Sequence, residues 1–98
     1  MLINSPTARP IVGGSIVRTT IHLKIMNIKE KFGLKVKFLR EEKGFSIEQL
    51  ANISNVDRNY ISDIEKGQRN VSITIIEKII QALDLDLATF FNDESFKQ

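Results

Sequence analysis

Residues 46–70 read SIEQLANISNVDRNYISDIEKGQRN, and their punctuation describes two short helices joined by a tight turn. Ser46 suits an N-cap, because its hydroxyl accepts a hydrogen bond from a free backbone N–H of the first turn, and Gln49 three residues on completes a capping box. A helix therefore starts at Ile47. It is expected to end near Ser54, where Asn55 tolerates the left-handed conformation of a sharp turn and Val56 can tuck beneath it. Asp57 then caps a second helix, which Gly67 closes. At 100° per residue Tyr60, Ile61 and Ile64 share one side of it, while Arg58, Asn59, Ser62, Asp63 and Lys66 crowd the other. The second helix thus buries an aliphatic edge and displays a row of hydrogen-bonding side chains.

The flanks of this pair are helical as well. Before it, a helix is expected over about residues 28–43 with Gly44 as its stop, and Ile28, Phe32, Val36 and Leu39 form its core stripe. Arg40 falls on the border of that stripe. Leu34 and Phe38 lie one turn apart on the opposite side, either as a small apolar patch or as scattered surface residues. After the pair, Ser72 caps a helix to about Leu83 whose stripe is Ile73, Ile76, Ile79, Ile80 and Leu83. Asp86 caps a last short helix, LATFFN, and the polar tail DESFKQ is expected to fray. Five short helices with brief loops make a compact all-α domain over residues 27–92, with residues 93–98 as its tail.

Residues 1–26 are patterned differently. Pro6 and Pro10 oppose an early helix, Gly13-Gly14 is a hairpin-type turn signal, and Val17, Thr19, Ile21, Leu23 and Ile25 alternate with Arg18, Thr20, His22 and Lys24 as a strand would. A lone hairpin is marginal in water and would need a partner surface. Three duller readings compete: a disordered basic arm, a targeting peptide, or sequence upstream of a functional start at Met26, the last placed ahead of a functional arm.

The 98 residues carry a formal net charge of +2. Of the 14 basic residues, Arg9, Arg18 and Lys24 lie in residues 1–26, which hold no acid, so the remainder sets 11 basic groups against 12 acidic ones. Within that near-neutral body Lys29, Lys31, Lys35, Lys37, Arg40, Lys43, Arg58, Lys66 and Arg69 precede Asn70, whereas residues 70–98 hold only Lys78 and Lys97 against five acids. One end can face a polyanion, although ordinary solvated helix faces explain part of this charge too. Cysteine is absent, which removes disulfides, thiolate metal sites and a cysteine nucleophile. His22 is the only histidine and has no second metal-type ligand nearby, so no metal is expected. No apolar run approaches the ~20 residues of a membrane-spanning helix.

Catalytic chemistry has little to work with. There is no Gly-rich phosphate loop and no Ser/His/Asp set on a plausible scaffold, and sequence-adjacent carboxylates such as Glu41 and Glu42 point apart on a helix. Neither enzymatic activity nor a cofactor is expected. Nucleic-acid binding fits better, because an exposed helix with Arg, Asn and Ser in its N-terminal half carries the groups that reach base edges in a major groove. Arg58 can bond guanine and Asn59 adenine in pairs, with Tyr60 and Ser62 beside them. Ser46, Lys66, Arg69, Asn70 and the N–H groups of helix starts are candidates for phosphate or loop contacts.

At these residues a family resemblance enters. The string FGLKVKFLREEKGFSIEQLANISNVDRNYISDIEKGQRNVSITIIEKIIQALDLDLATFF, Phe32 to Phe91, resembles the helix-turn-helix family of phage repressors and Cro-like bacterial regulators. Within it, DRNYISDIEKGQRN is most similar to the controller proteins of restriction–modification systems, small dimeric regulators that activate endonuclease expression and later repress their own operator. The resemblance implies that Arg58, Asn59 and Tyr60 enter the major groove or touch its edge, that Arg69 and Asn70 contact DNA from the following loop, and that Arg40 and Glu65 tie the first helix to the recognition helix. Such a pair orients more than it stabilises. The family commonly has Gln at the second position of the motif's first helix. This chain has Ile47, which leaves Ser46 to supply that phosphate bond.

The resemblance further implies a homodimer on a near-palindromic operator in double-stranded DNA, in the bacterial cytoplasm at the nucleoid, with RNA polymerase as a further partner and no membrane. Surplus apolar residues near the C-terminal end, Ile75, Leu87, Phe90 and Phe91, are the expected subunit contact. An antitoxin or other protein-interaction module on the same fold, and a phage-type repressor, are the alternatives.

Overall fold

The computed structural model describes residues 26–97. The hairpin, basic-arm, targeting and upstream-sequence readings of residues 1–25, and His22 with them, lie outside the described residues. Within them the chain forms α1 (Ile28–Glu42), α2 (Ile47–Ser54), α3 (Arg58–Glu65), α4 (Ile73–Ala82) and α5 (Leu87–Phe91), followed by a 3-10 turn at Glu94–Phe96.

Local chemistry sets each boundary. Asn27 caps α1 in a reciprocal box with Glu30, each side chain accepting from the other residue's backbone N–H at 2.9 and 3.0 Å. Ser46 and Gln49 do the same for α2, while Ser72 and Asp86 cap α4 and α5 by accepting from Ile75 and Thr89. Gly44 (φ +76°) and Gly67 (φ +72°) turn the chain sharply after α1 and α3. Between α2 and α3 that task falls to Asn55, at φ 58°, ψ 43°.

The core is one aliphatic and aromatic cluster. Phe32 and Val36 of α1, Leu50 and Ala51 of α2, Val56 of the turn after it, Ile61 and Ile64 of α3, Ile79 and Ile80 of α4, Leu83 and Phe90 are all buried. α1 packs on α3, α2 on α3 and α4, and α4 on α5. The crossing of α1 over α3 is close because Gly33 has no side chain: a Cβ there would lie 2.0 Å from the Ile64 carbonyl oxygen. The backbone itself is thus part of the contact.

Several expectations need correction. Ile28 and Ile73, assigned to core stripes, are 61% and 83% exposed. Each is the first residue of its helix, where the stripe has run past the elements that cover it. The tail, expected to fray, is docked over its described residues 93–97. Asp93 accepts from Ser95 and forms a salt bridge with Lys35 of α1, and Phe96 stacks edge-on against Phe91 with ring centroids 5.0 Å apart. Phe32, Phe90, Phe91 and Phe96 therefore form one aromatic cluster that fastens the C-terminal end to α1. Leu34 and Phe38 remain on the outer side of α1, 48% and 59% exposed. Among the described residues no helix is long and apolar enough to cross a membrane.

Candidate nucleic-acid interface

The exposed side of α3 is held in place from behind. Ile61 and Ile64 are 0% and 1% exposed, a hydrophobic edge sunk between α1 and α2. At the C-terminal end of the helix Glu65 meets Arg40 of α1, which also donates to the Phe45 carbonyl. The guanidinium so spans α1, the loop before α2 and α3. Glu65 holds Arg40 above the ordinary guanidinium range by hydrogen bonding, against an opposing desolvation cost.

In front, Arg58 and Asn59 occupy the first two positions of α3 and are exposed, with Tyr60 half-buried behind them. Ser62, one turn from Arg58, is half-buried. Lys66, Arg69 and Asn70 follow in the exposed loop after the helix. Ser46 stands exposed at the start of α2; its Oγ accepts from Gln49, which leaves the hydroxyl proton to be donated outward. The backbone N–H groups at the start of α3 are less available than the sequence suggested. Asp57 Oδ2 accepts from Asn59 at 2.9 Å and from Tyr60 at 3.3 Å, so those donors are already satisfied.

The structure joins two residues of α3 to one of the loop that follows it. Arg69 folds back over α3 so that its guanidinium carbon lies 4.3 Å from the Tyr60 ring centroid, and Nη2 donates to Asp63 Oδ2 at 3.2 Å. The cue for Asp63 was its position one turn beyond Tyr60, on the side of the helix that an arginine from the loop could cover. Gly33 was missed as well. Its cue was a glycine inside an otherwise well-patterned helix, which usually marks a close approach.

The expected subunit contact divides. Ile75 and Phe91 are half-buried and Leu87 is 43% exposed, so all three keep apolar surface. Phe90 does not: it is fully buried against Phe32 in the chain's own core, because α5 turns that ring inward. Beside these residues an open apolar groove of about 180 Å³ is lined by Ile28, Phe32, Val71, Ile76 and Phe91, with Arg69 at its rim. Among the described residues no group of three or more His, Cys, Asp or Glu is placed to hold a metal ion.

Comparisons agree on the frame of this site. The Helix-turn-helix family model matches residues 36–90, the stretch from mid α1 through α5. Control protein C.MunI of a Mycoplasma species is 46% identical over 68 residues, covering 68% of this chain and 92% of that protein. Control protein C.BamHI of Bacillus amyloliquefaciens is 46% identical over 78 residues, covering 72% and 96%. Among solved structures, the restriction-modification controller protein C.Esp1396I, a tetramer in complex with its natural 35 base-pair operator, superposes with a TM-score of 0.68 at 35% identity, covering 74% of this chain and 99% of that one.

Proposed function

The chain belongs to the helix-turn-helix family, and from that premise we propose that it is a sequence-specific DNA-binding regulator of transcription, a controller of the restriction–modification type acting as a homodimer on its own operator. The observation that carries this reading is the orientation of α3. Its Ile61–Ile64 edge is buried and its C-terminal end is clamped by Arg40 and Glu65, so Arg58 and Asn59 are presented outward on a rigid support. Base contacts need that rigidity, because a bidentate hydrogen bond tolerates little misplacement.

In this reading Arg58 and Asn59 bond base edges, with Tyr60 and Ser62 at the margin of the groove. Ser46, Lys66, Arg69 and Asn70 hold phosphates, which set register without reading sequence. Ile75, Leu87 and Phe91 supply the contact with a second copy, and the paired recognition helices then stand about 34 Å apart on a near-palindromic site. At an activated promoter RNA polymerase would be the further partner. A DNA partner of this kind puts the protein in the bacterial cytoplasm, at the nucleoid.

The test is a salt-dependent binding titration against the duplex immediately upstream of the protein's own gene and a random duplex of equal length. The proposal expects tight, cooperative binding to the upstream duplex alone, with a logarithmic slope in salt that reports several phosphate contacts. Weak and identical binding to both duplexes would overturn it.

A further inference from the structure

We propose that Asp63 is an affinity-limiting residue, a built-in competitor that holds the Arg69 guanidinium in the place a DNA phosphate would otherwise fill. The inference rests on the DNA-binding reading above and assigns to that surface a residue with the opposite charge. The sequence alone sets Asp63 among the hydrogen-bonding residues of α3, where a carboxylate facing a polyanion is a cost without an evident return. The geometry supplies the return. Arg69 leaves the loop beyond Gly67, lies across the Tyr60 ring at 4.3 Å and donates to Asp63 Oδ2 at 3.2 Å.

Both partners of the pair are accessible. The side chains of Arg69 and Asp63 are 43% and 37% exposed, so the bond is open to water and to exchange, unlike the enclosed Arg40–Glu65 pair at 10% and 6%. An arginine that binds phosphate must therefore either give up the carboxylate or bring it along. The first choice trades one ion pair for another, and the second leaves a carboxylate close to a phosphate. Each route weakens association with any duplex, whatever its sequence, because the arginine's charge is already answered within the chain. Stacking on Tyr60 keeps the guanidinium over the helix in the free protein, since it holds the planar group at low entropic cost. Asp63 thus lowers the general affinity for DNA and leaves the bonds of Arg58 and Asn59 to lift one sequence above the rest. Asp63 Oδ1 is not used in the bond to Arg69, and Lys66 carries the next positive charge along the helix.

The experiment is the substitution Asp63→Asn, which keeps the shape and removes the charge, measured in the wild-type and Arg69→Ala backgrounds. Affinity for the upstream duplex and for a random duplex is followed across a range of salt concentrations. Asp63→Asn is expected to tighten binding to both duplexes by a similar factor, about two- to fivefold at low salt, the scale of one exposed ion pair. The slope of log affinity against log salt should steepen by up to about one counterion. In the Arg69→Ala background the gain should shrink, since the pair no longer exists. A melting temperature equal to wild type for Asp63→Asn would tie the gain to charge and not to a changed fold.

Unchanged or weaker binding of Asp63→Asn overturns the proposal, and a loss confined to the upstream duplex would make Asp63 a positioning residue for Arg69 instead. A gain of equal size with and without Arg69 would also overturn it. Because the effect is read on the random duplex too, it stands apart from the functional reading: wild-type protein that binds both duplexes equally defeats sequence-specific regulation and leaves the Asp63 measurement intact.

Discussion

Arg40 and Glu65 are joined by two parallel hydrogen bonds, Nε to Oε2 at 2.7 Å and Nη2 to Oε1 at 3.0 Å, with side chains only 10% and 6% exposed. The last residue of α3 is thereby fixed to α1 in both distance and angle. Much of the attraction between such enclosed charges is offset by their desolvation, so the pair's main product is orientation.

Removing one partner should cost far more than the pair contributes. Glu65→Ala leaves the Arg40 charge enclosed without its carboxylate and is expected to destabilise the domain by about 3–5 kcal/mol. A double substitution with apolar residues of similar volume should recover much of that loss in urea denaturation, while DNA affinity stays low. Full recovery of DNA affinity in the double variant would remove the orienting role.

Gly33→Ala sets two effects against each other. Alanine is favoured over glycine inside a helix by about 1 kcal/mol. The new Cβ, however, would lie 2.0 Å from the Ile64 carbonyl oxygen, which is backbone and cannot rotate aside. The helices must separate, which costs about 1–3 kcal/mol, so a net loss of up to about 2 kcal/mol is expected. Because Ile64 sits in the recognition helix, DNA binding should fall with it. A variant as stable as wild type would show that α1 and α3 do not approach so closely.

Arg58→Ala should leave thermal stability near that of wild type, since the side chain is exposed. Binding to the specific site should weaken by about 1–3 kcal/mol, with relaxed discrimination at one base position. Loss of binding that is equal on all duplexes would move Arg58 from base reading to phosphate holding.

The contact that fastens the tail is pH-dependent. The Lys35 ammonium, with help from the Ser95 backbone N–H, holds the Asp93 carboxyl down to about 2. A carboxyl depressed in the folded state stabilises it fully above the ordinary carboxylate range and loses that contribution as pH falls from about 4 through about 2. With both side chains still partly in water, the contribution is about 1 kcal/mol. Asp93→Asn should therefore be less stable than wild type at pH 6, and the difference should shrink as pH falls through about 2 and close below it, near pH 1. A difference that persists undiminished near pH 1 would mean that packing of Phe96, and not the charge pair, is what the substitution disturbs.

The elements were legible because their signals are local. Ser46 with Gln49, Asp57, Ser72 and Asp86 cap helices through bonds that reach two or three residues, and Asn55 and Gly67 end them through their own φ angles. The aliphatic edge of α3 was readable for the same reason, since a 3.6-residue period already separates Ile61 and Ile64 from Arg58 and Asn59.

Periodicity, however, gives the direction of a stripe and not its extent. Ile28 and Ile73 lie in phase with buried residues and are exposed all the same, because what covers a helix end is another element. Phe90 and Phe91 are neighbours of one residue type, and only the approach of α1 decides that the first is interior and the second keeps a face outward. The polar composition of the tail hid Phe96, whose burial depends on an aromatic cluster drawn from α1, α5 and the turn itself.

The sequence by itself determined the five helices, their order and the residues offered by the recognition helix, since caps, turns and amphipathic period act over a few residues along the chain. The tertiary structure alone decided the depth of the α1–α3 crossing at Gly33, the docking of the tail through Asp93 and Phe96, and the return of Arg69 onto Tyr60 and Asp63. Each of these depends on the distance between segments far apart in sequence or separated by a turn, and that distance is set by how the whole core packs.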